Sequence, residues 1–240
     1  MKNGPLFFLG LFAALTLSWA GTVLLANRQL GGLAPYYDEN DSTSFPLHQP
    51  GLPARGQLVY ADLGCASCHT QQVRRPDFGS DQARGWGERQ SVARDYIFQA
   101  RVQLGTSRIG PDLTNVGARK PAYDAEDLTR LLYTGMIPGT KVLTHPPYKF
   151  LFDERPIVGE TSQQALKVGA PAGTQVVAGE RAQSLVAFLL SLNNTYDYPE
   201  SRPMPVEKAH QEGGPAAKKE GGPAAKKEAA PAAKKEGEKK

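Results

Sequence analysis

Apolar residues are spread very unevenly along this chain. From Pro5 to Ala26 no charged side chain interrupts a run rich in Leu, Phe, Ala and Val. A helix of that length rises by roughly 33 Å, enough to cross a hydrocarbon core of about 30 Å. The run is longer than the apolar core of a cleaved leader, although Ser18 and Ala20 would suit a cleavage site, so an uncleaved anchor is expected. Three further stretches have helical periodicity. Pro53 to Gly64 puts Leu58, Val59 and Leu63 on one side, with Gly56 and Tyr60 four residues apart on one face. A helix opening at Asp124-Ala-Glu-Asp127 turns Leu128, Leu131 and Leu132 inward. Gly179 to Asn194 carries a broad stripe of Leu185, Val186, Leu189, Leu190 and Leu192. Clear strand alternation is scarce.

Between anchor and first domain helix, prolines at 35, 46, 50 and 53 among Asp and Ser residues read as an extended linker. The other end is low in complexity: Pro215-Ala-Ala-Lys-Lys-Glu recurs from Pro223 and Pro231 with a period of eight, too short for a solenoid unit. The expected organisation is a flank at 1–4, an anchor at 5–26, a linker at 27–52, a folded domain at 53–199 and a disordered tail at 200–240. Residues 207 to 240 hold nine Lys and six Glu, which is three of the four net positive charges of the 240-residue chain. The folded domain is therefore close to neutral, and no nucleic-acid partner is expected. Contact with membrane lipid is expected at the anchor, and a weak electrostatic attraction of the tail to anionic headgroups is the lesser alternative.

The chemistry is concentrated in Cys65-Ala66-Ser67-Cys68-His69, which contains the only two cysteines. Two thiols three positions apart can add to the two vinyl groups of one porphyrin, and the following His69 then serves as an axial ligand to its iron. A structural zinc site would need a second Cys/His pair, which this sequence does not supply. A thioredoxin-like pair would need a βαβ setting, and the flanks are rich in Gly, Pro and Arg instead. One covalently attached haem c follows. Three helices and long loops around it predict a mainly α, cytochrome c-type haem domain with one N-terminal transmembrane helix. Iron in such a haem usually has Met or a second His opposite the motif histidine. Met1 lies at the anchor, His48 in the linker, and Met204 and His210 past the last helix, leaving Met136 and His145 as candidates. Arg74, Arg75, Arg84 and Trp86 follow the motif closely and are candidate partners of the haem propionates, because guanidinium forks and an indole N–H suit carboxylates.

The chain resembles the membrane-anchored mono-haem cytochrome c subunit, subunit II, of cbb3-type haem-copper oxidases. The likeness runs from Phe7 to about Pro199 through Ser18-Trp-Ala-Gly21, Gln29-Leu-Gly-Gly32, Gly64-Cys-Ala-Ser-Cys-His-Thr-Gln-Gln-Val73 and Gly79-Ser-Asp-Gln-Ala-Arg-Gly-Trp-Gly87. It continues through Ser91-Val-Ala-Arg-Asp-Tyr96, Leu104-Gly-Thr106, Gly110-Pro-Asp-Leu113 and Leu185-Val-Ala-Phe-Leu-Leu-Ser-Leu192. The resemblance implies a single-pass protein of the bacterial inner membrane with its haem domain on the periplasmic side. It implies electron transfer to a multi-span haem-copper catalytic subunit, with other cytochrome c subunits or donors as partners, and no catalysis by this chain alone. The family places its axial methionine just before Pro-Pro-aromatic. Here His145 stands there, ahead of Pro146-Pro147-Tyr148, so the resemblance favours His145 as distal ligand over Met136. Two other readings of a haem-bearing anchored domain are a free-standing membrane electron shuttle and a haem-based gas sensor.

Overall fold

In the computed structural model, residues 3–137 and 139–202 are described. The low-complexity repeats, Met204 and His210 lie outside them. Helix α1 (Gly4–Trp19) runs through a π turn (Ala20–Leu24) into α2 (Leu25–Leu30), making one helical stretch of 27 residues whose apolar window is unburied. It is a candidate membrane span that extends past Ala26 to take in Arg28 in its last turn. Its hydroxyls are satisfied locally: Thr16 and Thr22 donate to the carbonyls of Phe12 and Ser18, each at 2.8 Å.

Residues 27–52 are not the extended linker that their prolines suggest. After α2, strands β1 (Tyr36–Asp38) and β2 (Thr43–Phe45) pair as an antiparallel hairpin. Aromatic packing holds this hairpin in place. Phe45 stacks on Tyr196 at 3.9 Å between ring centres, the Tyr196 hydroxyl donates to Asp38 at 2.5 Å, and Tyr36 meets Tyr198 edge-on at 6.2 Å. Arg94 adds a polar tie, donating to the Ala34 carbonyl and to Glu200.

Helix α3 (Leu52–Asp62) begins after Gly51, whose φ of 76° few other residues tolerate, and has proline in its first turn. It crosses α5 (Glu180–Ser191) so closely that a Cβ on Gly56 would lie 1.9 Å from the Ser184 carbonyl oxygen. Beside that crossing Tyr60 packs edge-on against Phe188 at 5.5 Å. Helix α4 (Ala125–Thr134) starts at Asp124, whose carboxylate accepts from the Asp127 N–H at 2.7 Å, and stops at Gly135 in the left-handed conformation. It buries Leu128, Leu132 and Tyr133, and leaves Leu131 half-buried.

A second hairpin, β3 (Phe152–Pro156) with β4 (Thr174–Ala178), completes the core in register Phe152↔Ala178. It adds a β element to a domain expected to be mainly α. Its strand signal is weak because β4 buries consecutive residues, Gln175, Val176 and Val177, and therefore shows no alternation. The apolar core joins Tyr60, Leu128, Leu132, Leu151, Val176, Leu185 and Phe188.

Candidate functional site

The first cysteine stands where α3 ends. Gly64, at φ 69°, breaks the helix and lets Cys65–Ser67 form one tight turn, with the N–H groups of Cys68 and His69 both bonded to the Cys65 carbonyl. Both cysteines of that turn are half-buried, and both thiols are free. Burial pushes the Cys65 thiol up to about 11, so it is a neutral thiol at physiological pH.

A loop on the other side of the motif fixes the His69 ring. Its Nδ1 donates to the Pro111 carbonyl at 2.8 Å, which leaves Nε2 free as a donor to a metal. Gly110 touches the ring face: a Cβ there would lie 2.2 Å from Cε1, so any side chain would push the imidazole away. The loop is held by Asp112, fully buried, whose carboxylate accepts from Thr70 Oγ1 at 2.5 Å and from the N–H groups of Gln72 and Thr114 at 2.8 and 2.9 Å.

Facing His69 is His145. The two rings lie 6.2 Å apart centre to centre and 33° from parallel. His145 sits at the base of a small arm in which Met136 and Leu143 form a backbone bridge, and its N–H bonds the Gly135 carbonyl at 3.0 Å. Its Nδ1 donates to the Pro146 carbonyl at 2.9 Å, so here too Nε2 is free. Burial, helped by the nearby His69, holds His145 below its ordinary value and keeps the imidazole neutral. Tyr148 packs 5.5 Å from it, anchored by its N–H on the Leu132 carbonyl. Met136 is 38% exposed, with its N–H on Thr134 Oγ1.

The four candidate propionate residues each have a contact within the protein. Arg74 forks onto the fully buried Asp81, with Nη2 at 3.0 Å from Oδ1. Arg75 lies over the Phe78 ring at 4.1 Å, and Arg84 over Trp86 at 4.9 Å. None of these contacts involves His69 or His145. Two arginines that the sequence reading passed over stand nearer the His69 loop. Arg108, two residues before Gly110, reaches Asp81 at 2.7 Å and donates to the Gln72 carbonyl at 2.6 Å. Arg119 donates through Nη2 to the Asp112 carbonyl, while its Nε is buried with no partner. Burial lowers its pKa, as expected of a cation lacking a full set of acceptors. Their placement on either side of Gly110-Pro-Asp-Leu113 was the signal available in the sequence.

Among the described residues, no group of three or more His, Cys, Asp or Glu side chains could cage a bare metal ion. The site offers two opposed imidazoles, a donor set suited to a metal already held in a planar ligand. A family model described as cytochrome c oxidase, mono-heme subunit/FixO matches residues 43–190. The chain belongs to the FixO family. None of the curated proteins compared matches it. Membership makes it a subunit of an oxidase, associated with a catalytic subunit.

The FixO site can be tested for its fit to one haem. Imidazole–metal bonds of about 2 Å on each side, with about 1 Å from each nitrogen to its ring centre, require centres about 6 Å apart. The 6.2 Å observed meets that requirement. The free thiols in the turn that leads into His69 and the close approach of Gly110 to the ring are consistent with the same occupant.

Proposed function

We propose that this chain is the mono-haem electron-transfer subunit of a cbb3-type oxidase, carrying one haem c between His69 and His145. The observation that carries the reading is the pair of imidazoles facing each other across 6.2 Å, each with Nδ1 bonded to a backbone carbonyl and Nε2 free. The Cys65 and Cys68 thiols would hold the haem covalently, each S–H adding across a vinyl C=C with its proton going to the second vinyl carbon, so that no oxidant would be needed. Haem when bound supplies a one-electron iron couple.

The chain's own residues orient, shield and tune. Pro111 and Pro146 hold the two ring tautomers, Gly110 permits close approach, and Tyr148 with the apolar core excludes water. Arg119, whose Nε is buried without a partner beside the Asp112 carbonyl, would take a propionate, with Arg74, Arg75, Arg84 and Trp86 as the further candidates. Exposed Ile109, beside Gly110, and Phe150, beside the His145 loop, offer an apolar rim through which an electron enters or leaves without any bond being made. The span at 4–30 anchors the domain on the periplasmic side of a bacterial inner membrane, next to a multi-span haem-copper subunit.

Optical and EPR spectra of His145→Ala and Met136→Ala test the ligation. His145→Ala is expected to lose the low-spin ferric signal, and Met136→Ala to keep it. The opposite pattern would refute the assignment. For the role, purification in mild detergent is expected to bring a multi-span haem-copper subunit along. A monomeric product under the same conditions refutes the subunit reading in favour of a free shuttle.

A further inference from the structure

Residues 104–113 are laid along the cysteine turn and the chain that follows it. Four backbone bonds join the two: the N–H groups of Gln71, Thr106, Gly110 and Leu113 donate to the carbonyls of Leu104, Ala66, Cys68 and Thr70, at 3.1, 2.9, 2.9 and 2.8 Å. The fit leaves no room for a side chain at two points. A Cβ on Gly105, at φ 88°, would lie 2.2 Å from the His69 carbonyl oxygen, and one on Gly110 would meet the His69 ring at the same distance. The placing of this segment therefore decides where the imidazole stands.

Two side chains pin it, one on each side of Gly110-Pro111. Asp112 does so by accepting from Thr70 and from the Gln72 N–H. Arg108 does so from the other side. Its Nη1 lies 2.7 Å from Oδ1 of the fully buried Asp81, while its Nη2 donates to the Gln72 carbonyl at 2.6 Å and lies 3.9 Å from Asp112 Oδ2. Asp81 is itself fixed by Arg74, whose N–H and Nη2 reach it at 2.8 and 3.0 Å. One guanidinium thus ties together three places in the chain, at 72, 81 and 112. A planar fork can meet several acceptors in fixed directions, where an ammonium offers one compact charge. The Arg108 side chain is only 19% exposed, so its loss strands part of a buried charge cluster and frees the segment it holds.

We propose that Arg108 is a positioning residue for His69. It clamps residues 104–113 onto residues 66–72, so that Gly110 keeps the imidazole ring in place and the Pro111 carbonyl keeps its Nδ1 proton. The inference rests on His69 as the iron ligand of the proposed function, and is independent of the side chain that stands opposite.

The test is NMR on the full-length, haem-loaded protein in detergent, reduced and isotopically labelled, with two readings at His69. One is the solvent exchange rate of the Nδ1 proton, and the other is the Overhauser contact between the Cε1 proton and the Gly110 α protons. In Arg108→Gln the exchange is expected to quicken about ten-fold and the contact to weaken. Arg108→Lys keeps the charge but not the fork, and is expected to behave in the same way. Arg89→Gln is the control, because it opens a buried pair with Asp95 whose further partners, the Gln90 and Tyr196 carbonyls, also lie outside residues 104–113. It is expected to leave both readings unchanged. Wild-type readings in Arg108→Lys would overturn the proposal, since charge alone would then suffice, and equal changes in Arg89→Gln would overturn it as mere loosening of the domain. Should Arg108→Gln fail to fold, Arg108→Lys decides. Wild-type His69 ring protons without the large ring-current shifts of a haem ligand would refute the proposed function and this inference with it. Normal ring-current shifts with unaltered exchange in the Arg108 variants would refute the inference alone.

Discussion

Gly56→Ala probes the contact that sets the position of the cysteine motif. The added methyl would lie 1.9 Å from the Ser184 carbonyl oxygen and 2.6 Å from Phe188 Cβ, where ordinary contact begins at 3.4 Å. The oxygen belongs to the α5 backbone and cannot rotate aside, so α3 and α5 must part by about 1.5 Å. Overpacking of this kind costs about 1–3 kcal/mol, and a rigid backbone partner puts it at the upper end. Alanine returns about 1 kcal/mol in helix propensity, so the net loss is about 2 kcal/mol. For a domain of this size that lowers Tm by about 4–8 °C. Thermal melts followed by far-UV circular dichroism on the haem-loaded protein read this directly. Gly169→Ala, where a Cβ meets nothing within 4 Å, is the control. A Gly56→Ala melt at or above the wild-type value would show that the two helices are not in contact through this residue.

Asp81→Asn leaves Arg74 and Arg108 facing a neutral group and is expected to destabilise the domain by about 3 kcal/mol in denaturant titration. Burial alone would raise the Asp81 carboxyl, but Arg74 and Arg108 outweigh it and hold it below its usual value. Its stabilisation is therefore complete at neutral pH and is lost as pH falls below about 4, so the wild type should lose more stability on acidification than Asp81→Asn. Arg119→Leu removes a positive charge from the His69 loop and should lower the midpoint potential by on the order of tens of millivolts in spectroelectrochemical titration, while Arg75→Leu should leave it unchanged. Tyr196→Phe deletes the bond to Asp38, and limited proteolysis should then cut residues 31–50 a few-fold faster.

How much of this was legible in the sequence follows the range of the forces involved. The two cysteines and the histidine after them occupy one turn of chain, so Cys65, Cys68 and His69 stand out by spacing alone. Helices α3, α4 and α5 were readable too, because a single buried face leaves a 3.6-residue period, and Asp124 and Gly135 mark the ends of α4 by their own chemistry. The hairpin at Tyr36–Phe45 was hidden, because its stability comes from Tyr196 and Tyr198 some 150 residues away. The partners of the arginines were hidden for a similar reason. Every Arg has the same fork, and only the fold decides that Arg74 meets Asp81, that Arg75 and Arg84 cover aromatic rings, and that Arg119 is left with a spare donor.

The sequence by itself thus determined the N-terminal apolar helix, the three domain helices, the cysteine motif and the short list of candidates to stand opposite His69. Only the tertiary structure brought the His145 ring within 6.2 Å of His69 and placed Met136 in a backbone bridge at the arm. The reason is physical: a side chain's chemistry belongs to its residue, but the direction it faces is set by Gly135, Leu132 and Pro146, which hold the backbone of the loop around it.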